Sequence, residues 1–515
     1  MKLRFNSLLI ILIFAFSGCA TLKEPPPVPE VFSMEPAATG ILTHVLEQFS
    51  KDHASDESGF LILSNNKEAF EWRLALVDEA VRSIDAQYFI WQNDETGILL
   101  FDRLLKAADR GVRIRLLVDD IFFAGKDRNM AAIALHPNFD IKIFNPGNVR
   151  NSVLGISEAS DFLLNFKELN RRMHNKLLVV DNRLAIVGGR NIGNAYFGLS
   201  KKYNFRDLDV LVTGPVIPQI SAAFDVYWNV ELAYPGSAMS DEETLDDLAA
   251  LRKRADTYLL ENKEMLVSYP SQPISWRKAF LQLPGKLLPG KAQFIQDKPV
   301  PIGEDQYRLL DVLDYISEPP ARQHLIIVSP YLIPTEDMLE KLRLARTAEG
   351  VKVSIVTASM GANNHTAAHS HYKKYRRKFL EGGAELFEVK HDLPAAMRNI
   401  SDVPPVQAKF ISLHVKAMVA DRKRCFVGSL NLDPRALELN TENGLYIESH
   451  GMCAELADQF ETLMHPDNSW RVYLNEDDQL RWESSIGTVS MQPARSFGQR
   501  ISDFFFRLLP LEGQL

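Results

Sequence analysis

RRMHNKLLVVDNRLAIVGGRNIG, residues 171–193, holds a histidine, a lysine two places on and an aspartate five further on, then a glycine pair and an asparagine: His174, Lys176, Asp181, Gly188, Gly189 and Asn191. FISLHVKAMVADRKRCFVGSLNLD, residues 410–433, repeats the order with His414, Lys416, Asp421, Gly428, Ser429 and Asn431. On a strand, side chains two apart share a face, so each histidine and its lysine project into one pocket while Leu177, Val179, Val415 and Ala417 face the packed side. The glycines let backbone approach a phosphate closely, and an asparagine amide can donate to its oxygens. One such motif is a weak signal. Two copies with the same trailer, in a repeated frame, are a strong one.

The frame extends upstream of each motif. Ser83 to Trp91 reads as a strand, Gly97 to Arg110 carries helical apolar spacing, Gly111 stops the helix, and Val112 to Val118 alternates as a strand. The same order returns at His324 to Pro334, Thr335 to Glu349, Gly350 and Val351 to Thr357. Gly111 and Gly350, His174 and His414, and Asn191 and Asn431 share an offset of about 240 residues, as duplication of a whole domain produces. Strand, helix, strand order in each half predicts an α/β sandwich with a mixed sheet. The expected divisions are 57–255 for the first lobe, 256–300 for a proline-interrupted connection, 301–475 for the second lobe and 476–515 for an amphipathic tail.

The chain has 515 residues, 46% of them hydrophobic and 24% charged, enough for two sizeable cores. Its formal net charge of -8 repels polyanions, so nucleic acid is not an expected partner. Cys19, Cys425 and Cys453 are too few and too unpatterned for a disulfide scaffold or a zinc site, and Cys425 reads as a buried thiol in an apolar strand. Lys2, Arg4 and the apolar run Leu8 to Phe16 predict an export signal over 1–18. Its end, Ser17-Gly18-Cys19, resembles a bacterial lipobox, which makes Cys19 the expected lipidation site. The proline-rich remainder of 19–56 would then be a tether. The localisation this implies is a membrane-anchored lipoprotein facing the periplasm, on the outer membrane.

The paired motifs resemble those of the phospholipase D superfamily, and the segments Tyr88 to Asp120, Leu169 to Lys176, Val187 to Gly198 and Leu430 to Leu445 are similar to bacterial cardiolipin synthases, type C branch. The resemblance covers nearly all of the chain after residue 57. It implies two α/β sandwich lobes related by a pseudo-twofold axis around a single shared active site, with no cofactor and no metal. It also implies that His174 is the nucleophile and His414 the acid/base. Asp209 and Glu442 are the implied carboxylates that orient the two imidazoles, while Asp181 and Asp421 hold each motif within its own lobe. Lys176, Lys416, Asn191 and Asn431 would neutralise phosphoryl oxygens.

Gly188, Gly189, Gly428, Ser429, Tyr88 and Tyr331 are the expected substrate-binding residues, the tyrosines at the cleft mouth. His365, His369 and His371 are expected in solvent or against headgroups, and the basic run Lys373 to Lys378 as a patch for anionic lipid. Phe497, Ile501, Phe504, Phe505 and Leu508 follow helical spacing, for packing on the body or lying in a membrane plane. Phospholipid substrates and a membrane surface are the expected partners, with an accessory protein left open. The expected reaction makes cardiolipin from phosphatidylglycerol and a second phospholipid, phosphatidylethanolamine or phosphatidylglycerol. A hydrolytic phospholipase D and a nuclease of the same superfamily are the alternatives, and a catalytically dead lipid-binding lipoprotein is the non-enzymatic one.

Overall fold

The computed structural model describes residues 28–120, 126–147, 171–240, 243–299, 309 and 320–508. The expected export signal, Cys19 and Pro25 to Pro27 lie outside the described residues.

In the first lobe, β1 (Ser58–Leu63), β2 (Ser83–Tyr88), β3 (Arg113–Asp119), β4 (Phe139–Phe144), β5 (Lys176–Val180) and β6 (Leu184–Gly188) come first in the chain. β7 (Tyr203–Arg206), β8 (Asp209–Thr213) and β9 (Ala233–Pro235) follow. β2, β3 and β4 run parallel, and the helix Glu95–Asp109 crosses between β2 and β3. The crossover begins at Asp94, whose carboxylate accepts from the Gly97 amide, and ends before Gly111, whose φ of +91° suits glycine. β5 lies antiparallel to β2 on one side and to β6 on the other.

The second lobe contains β10 (Leu288–Gln296), β11 (His324–Val328), β12 (Lys352–Ala358), β13 (Glu385–Val389), β14 (Phe410–Leu413) and β15 (Ala417–Ala420). It continues with β16 (Arg424–Gly428), β17 (Asn443–Glu448), β18 (Ser469–Leu474), β19 (Leu480–Ser484) and β20 (Gly487–Val489). The parallel pair β11–β12, joined by the helix Glu336–Glu349, repeats β2–β3, and β15 lies antiparallel to β11 as β5 does to β2. Thr335 caps that helix and Gly350 ends it at φ +70°.

The stretch expected as a connection contains β10, which pairs with β1 at one end and along its length with β17. One sheet therefore runs through both lobes in the order β9-β4-β3-β2-β5-β6-β8-β1-β10-β17-β16-β15-β11-β12-β13-β18-β19-β20. β19 and β20, from the expected tail, extend its far edge.

The alternation of β5 divides its side chains between two cores. Leu178 and Val180 join the helices of the first lobe, whereas Leu177 and Val179 meet Val415, Val419, Val427 and Leu445 in a core shared by both lobes. Cys425 on β16 is not a free thiol. It is bonded to Cys453 on the helix His450–Met464, with Cα atoms 5.6 Å apart.

Candidate active site

Backbone pairing between the lobes brings each histidine to the other lobe's carboxylate. β14 runs parallel to β7, and the next amide, His414 N–H, donates to the Arg206 carbonyl at 2.8 Å, which sets Asp207 beside His414. On the other side Met173 bridges to Thr441, and His174 N–H donates to the Thr441 carbonyl at 2.8 Å, which sets Glu442 beside His174. His174 Nδ1 lies 2.7 Å and 2.9 Å from the two Glu442 carboxylate oxygens, and His414 Nδ1 lies 2.6 Å from Asp207 Oδ2. All four side chains are buried. With each Nδ1–H donated to a carboxylate, Nε2 retains its lone pair.

Asp209 does not orient a histidine; that position belongs to Asp207, which the sequence reading missed. Asp209 opens β8 and accepts from Arg73 Nη2 at 2.9 Å and Arg190 Nη1 at 3.2 Å, a buried cluster that ties β8 to the helix Asn66–Glu79. A usable signal existed: Glu442 stands just outside the apolar strand that follows it, and so does Asp207, whereas Asp209 is already in register with Gly188.

Asp181 and Asp421 stay within their own lobes. Asp181 accepts from the amides of Val81, Arg82 and Ser83 at 3.0, 2.7 and 3.0 Å, and Asp421 from those of Arg322, Gln323 and His324 at 2.8, 2.8 and 3.0 Å. Both take a left-handed backbone, φ 56° and 54°, at the hairpin after the motif strand, a conformation aspartate tolerates better than most residues. Each lysine turns back on its motif: Lys416 Nζ donates to the His414 carbonyl at 2.6 Å, and Lys176 Nζ to the His174 carbonyl.

The trailer residues serve the carboxylates and neighbouring strands rather than an open phosphate cradle. A Cβ on Gly189 would lie 2.4 Å from Asp207 Oδ1, and one on Gly188 would lie 2.3 Å from Asp209 Oδ1. One on Gly428 would lie 2.3 Å from the Asn443 carbonyl oxygen. Ser429, at the place of Gly189, donates its hydroxyl to Glu442. Asn191 is engaged at both ends, accepting from the Ile90 amide at 3.0 Å and donating to the Tyr196 hydroxyl at 2.9 Å, while buried Asn431 Oδ1 has no protein partner.

Tyr88 is not at the cleft mouth; it is buried against Trp91, with its hydroxyl accepting from Arg73. Tyr331 lies near the site, its ring centroid 6.4 Å from that of His414 in an edge-to-face arrangement and its hydroxyl donating to Asn364 Oδ1. Phe89 packs edge-on at 4.9 Å from His174, and Phe205 and Tyr196 lie 4.5 and 5.5 Å from His414. These three contacts were not foreseen.

Two other expectations are corrected. His369 and His371 are buried, not solvent-facing, with His369 Nε2 3.2 Å from Arg376. The basic run is largely neutralised: Arg376 is buried on Glu388, Arg377 pairs with Asp478, and Lys378 and Lys373 pair with Glu336 and Asp503. A chain read one residue at a time does not reveal acids that arrive from 12 to 130 positions away.

Burial sets the electrostatics. It holds His174 well below the ordinary imidazole value, reinforced by Lys176 and Lys416, and lowers His414 to about 4. Burial also lowers Lys416 to about 8 and pushes Glu442 well above the carboxylate range. Burial raises Asp207 too, but His414, Lys416 and Arg190 together outweigh it and leave that carboxyl below its ordinary value. Both imidazoles are therefore neutral at pH 7.

The family described as "Cardiolipin synthase, PLD-like domain" matches residues 74–228 and again 314–464. Over 471 residues the chain is 33% identical to Cardiolipin synthase C of Escherichia coli (strain K12), which spans 88% of this chain and 96% of that protein. It is 25% identical over 399 residues to Cardiolipin synthase of Clostridium perfringens (strain SM101 / Type A), spanning 76% of this chain and 67% of that one. Among solved structures it is similar to phosphatidylserine synthase of Haemophilus influenzae Rd KW20, with a TM-score of 0.54 at 14% identity over 83% of this chain and 91% of the other. That likeness concerns the fold, two phospholipase D-like lobes. With the family matched twice and one relative aligned nearly end to end, the chain belongs to the phospholipase D-like cardiolipin synthase family and is a phospholipase D-type phosphatidyltransferase.

Proposed function

We propose that this enzyme makes cardiolipin by moving a phosphatidyl group from phosphatidylethanolamine or phosphatidylglycerol to the free glycerol hydroxyl of phosphatidylglycerol. The observation that carries the reading is the crossed pairing of His174 with Glu442 and His414 with Asp207. Nε2 of His174 attacks phosphorus as the bond to the headgroup oxygen breaks, and His414 gives that oxygen its proton, releasing ethanolamine or glycerol. His414 then takes the proton of the incoming hydroxyl, the new oxygen–phosphorus bond forms, and the phosphorus–nitrogen bond breaks. Lys176 and Lys416 stabilise the charge on the phosphoryl oxygens in a water-poor site. Asn191 is committed to Ile90 and Tyr196, so Asn431 is the asparagine that would join them, through its side-chain NH2.

The test is product partition in vesicles of labelled phosphatidylglycerol, with and without phosphatidylethanolamine. Cardiolipin is expected; phosphatidic acid alone would make the enzyme a hydrolase. Trapping with an activated donor should label a peptide containing His174, and label on His414 would reverse the two roles.

The same reading includes export and lipidation at Cys19. The Cys425–Cys453 bond supports an oxidising compartment, since cytosolic thiols are kept reduced. Fatty-acid labelling of the wild type, lost in Cys19→Ser, is the expected result, and equal labelling of both would refute the anchor.

A further inference from the structure

The helix Phe497–Leu508 is turned inside out. Its buried residues are polar: Gln499 donates to the Met360 carbonyl at 2.5 Å, and Asp503 pairs with Lys373. Large apolar residues are exposed instead: Phe497 is 77% exposed, Phe504 58%, Phe505 61% and Leu508 65%. At 3.6 residues per turn these four and Ile501 form one continuous arc, and Arg500 and Arg507 fall together along one edge of it. A helix that only packed on the body would bury the phenylalanines. Here ion pairing and side-chain hydrogen bonds fasten the polar side, so the apolar side is presented outward.

The helix sits on the wall of the active site. Arg495, just before it, donates to the Asn363 carbonyl and lies over the Phe410 ring. From the same segment, the Ala362 carbonyl and Asn364 Oδ1 accept from the Ser412 hydroxyl, two residues before His414.

We infer that the Phe497–Leu508 helix docks the enzyme on an anionic phospholipid surface, with its aromatic arc in the acyl boundary and Arg500 and Arg507 at the headgroups. The inference rests on the lipid-substrate reading above. The two arginines place positive charge beside the apolar arc, which favours anionic lipid in a chain whose net charge is -8. Docking there sets the wall beside His414 against the surface that holds both substrates.

The test uses full-length protein carrying Cys19→Ser, so that no acyl chain contributes, with a polarity-sensitive dye on Phe504→Cys. Phosphatidylcholine vesicles containing phosphatidylglycerol should shift the dye to an apolar signal that a lipid-borne quencher reaches, with a weaker response for phosphatidylcholine alone. Phe504→Asp with Phe505→Asp, both exposed and outside the catalytic set, should weaken vesicle binding at least about tenfold. Activity on vesicles should fall with it, while turnover of a short-chain, monomeric phosphatidylglycerol is kept. A dye that stays in water, or a double variant as good on vesicles as the wild type, overturns the inference. A dye already shielded before lipid is added would give the face to a second copy or to the chain's own end, and overturns it too. Vesicle binding is read without turnover, so an enzyme that docks yet makes no cardiolipin would sink the synthase reading and leave the docking standing.

Discussion

Asp207 and Asp209 lie two positions apart, and substituting each should produce a different failure. Asp207→Asn keeps the shape but removes the charge beside His414, so kcat should fall by at least about a hundredfold with Tm nearly unchanged. Asp209→Asn leaves Arg73 and Arg190 buried without their carboxylate and should cost about 3–5 kcal/mol, read as a large drop in Tm. An inactive but fully stable Asp209→Asn would return the orienting role to that residue. The titration of His414 gives a second expectation. Its folded value of about 4 lies below the ordinary 6.5, so the stability it contributes is complete above pH 6.5 and is lost as pH falls toward 4. Denaturant midpoints should decline through that window, and less steeply in His414→Gln. An imidazole that is neutral in the free enzyme must acquire its proton as the phosphate arrives, because the new negative charge raises its pKa. Phosphate binding at pH 7 should therefore take up protons, seen as a buffer-dependent binding enthalpy in calorimetry; an enthalpy independent of buffer would contradict this.

The elements of each lobe follow from local chemistry the sequence displays: Asp94 and Thr335 start the crossover helices, and Gly111 and Gly350 end them. The disulfide was not legible, because Cys425 and Cys453 are 28 residues apart and become neighbours only when the helix His450–Met464 packs on β16. Closing a loop of that length restricts the unfolded chain, and the chain-entropy account puts the gain at about 3–4 kcal/mol. Cys453→Ser, or reduction, should lower Tm without changing the pH profile of turnover. An unchanged Tm would mean the bond contributes nothing to the fold.

Across the whole molecule, β10 joins two sheets into one and the core containing Leu177, Val179, Val415 and Val419 belongs to both lobes. The lobes should therefore unfold together. Leu177→Ala in the first lobe should cost about 2–5 kcal/mol and lower a single calorimetric transition, and Val419→Ala in the second should lower that same transition by less. Two separable transitions, each answering to one substitution, would show that the shared core does not couple them. Cleavage between the lobes should abolish activity even if both halves stay folded apart, since each half keeps a histidine and loses its carboxylate.

The duplication, the strand and helix order, both histidines, both lysines and the apolar arc near the C-terminus were determined by the sequence alone, because each is written in spacing that one pass along the chain can read. Glu442 was implied only by the family resemblance, the same source that implied Asp209. What the tertiary structure decided is everything set by pairing across lobes or over long separations. It chose Asp207 over Asp209 and assigned each carboxylate to the opposite lobe's imidazole. It sealed Tyr88 in the core and neutralised the run around Arg376. It also turned the polar side of the last helix inward. In each case the partner comes from a distant part of the chain, and periodicity records which face a residue occupies but not what that face will meet.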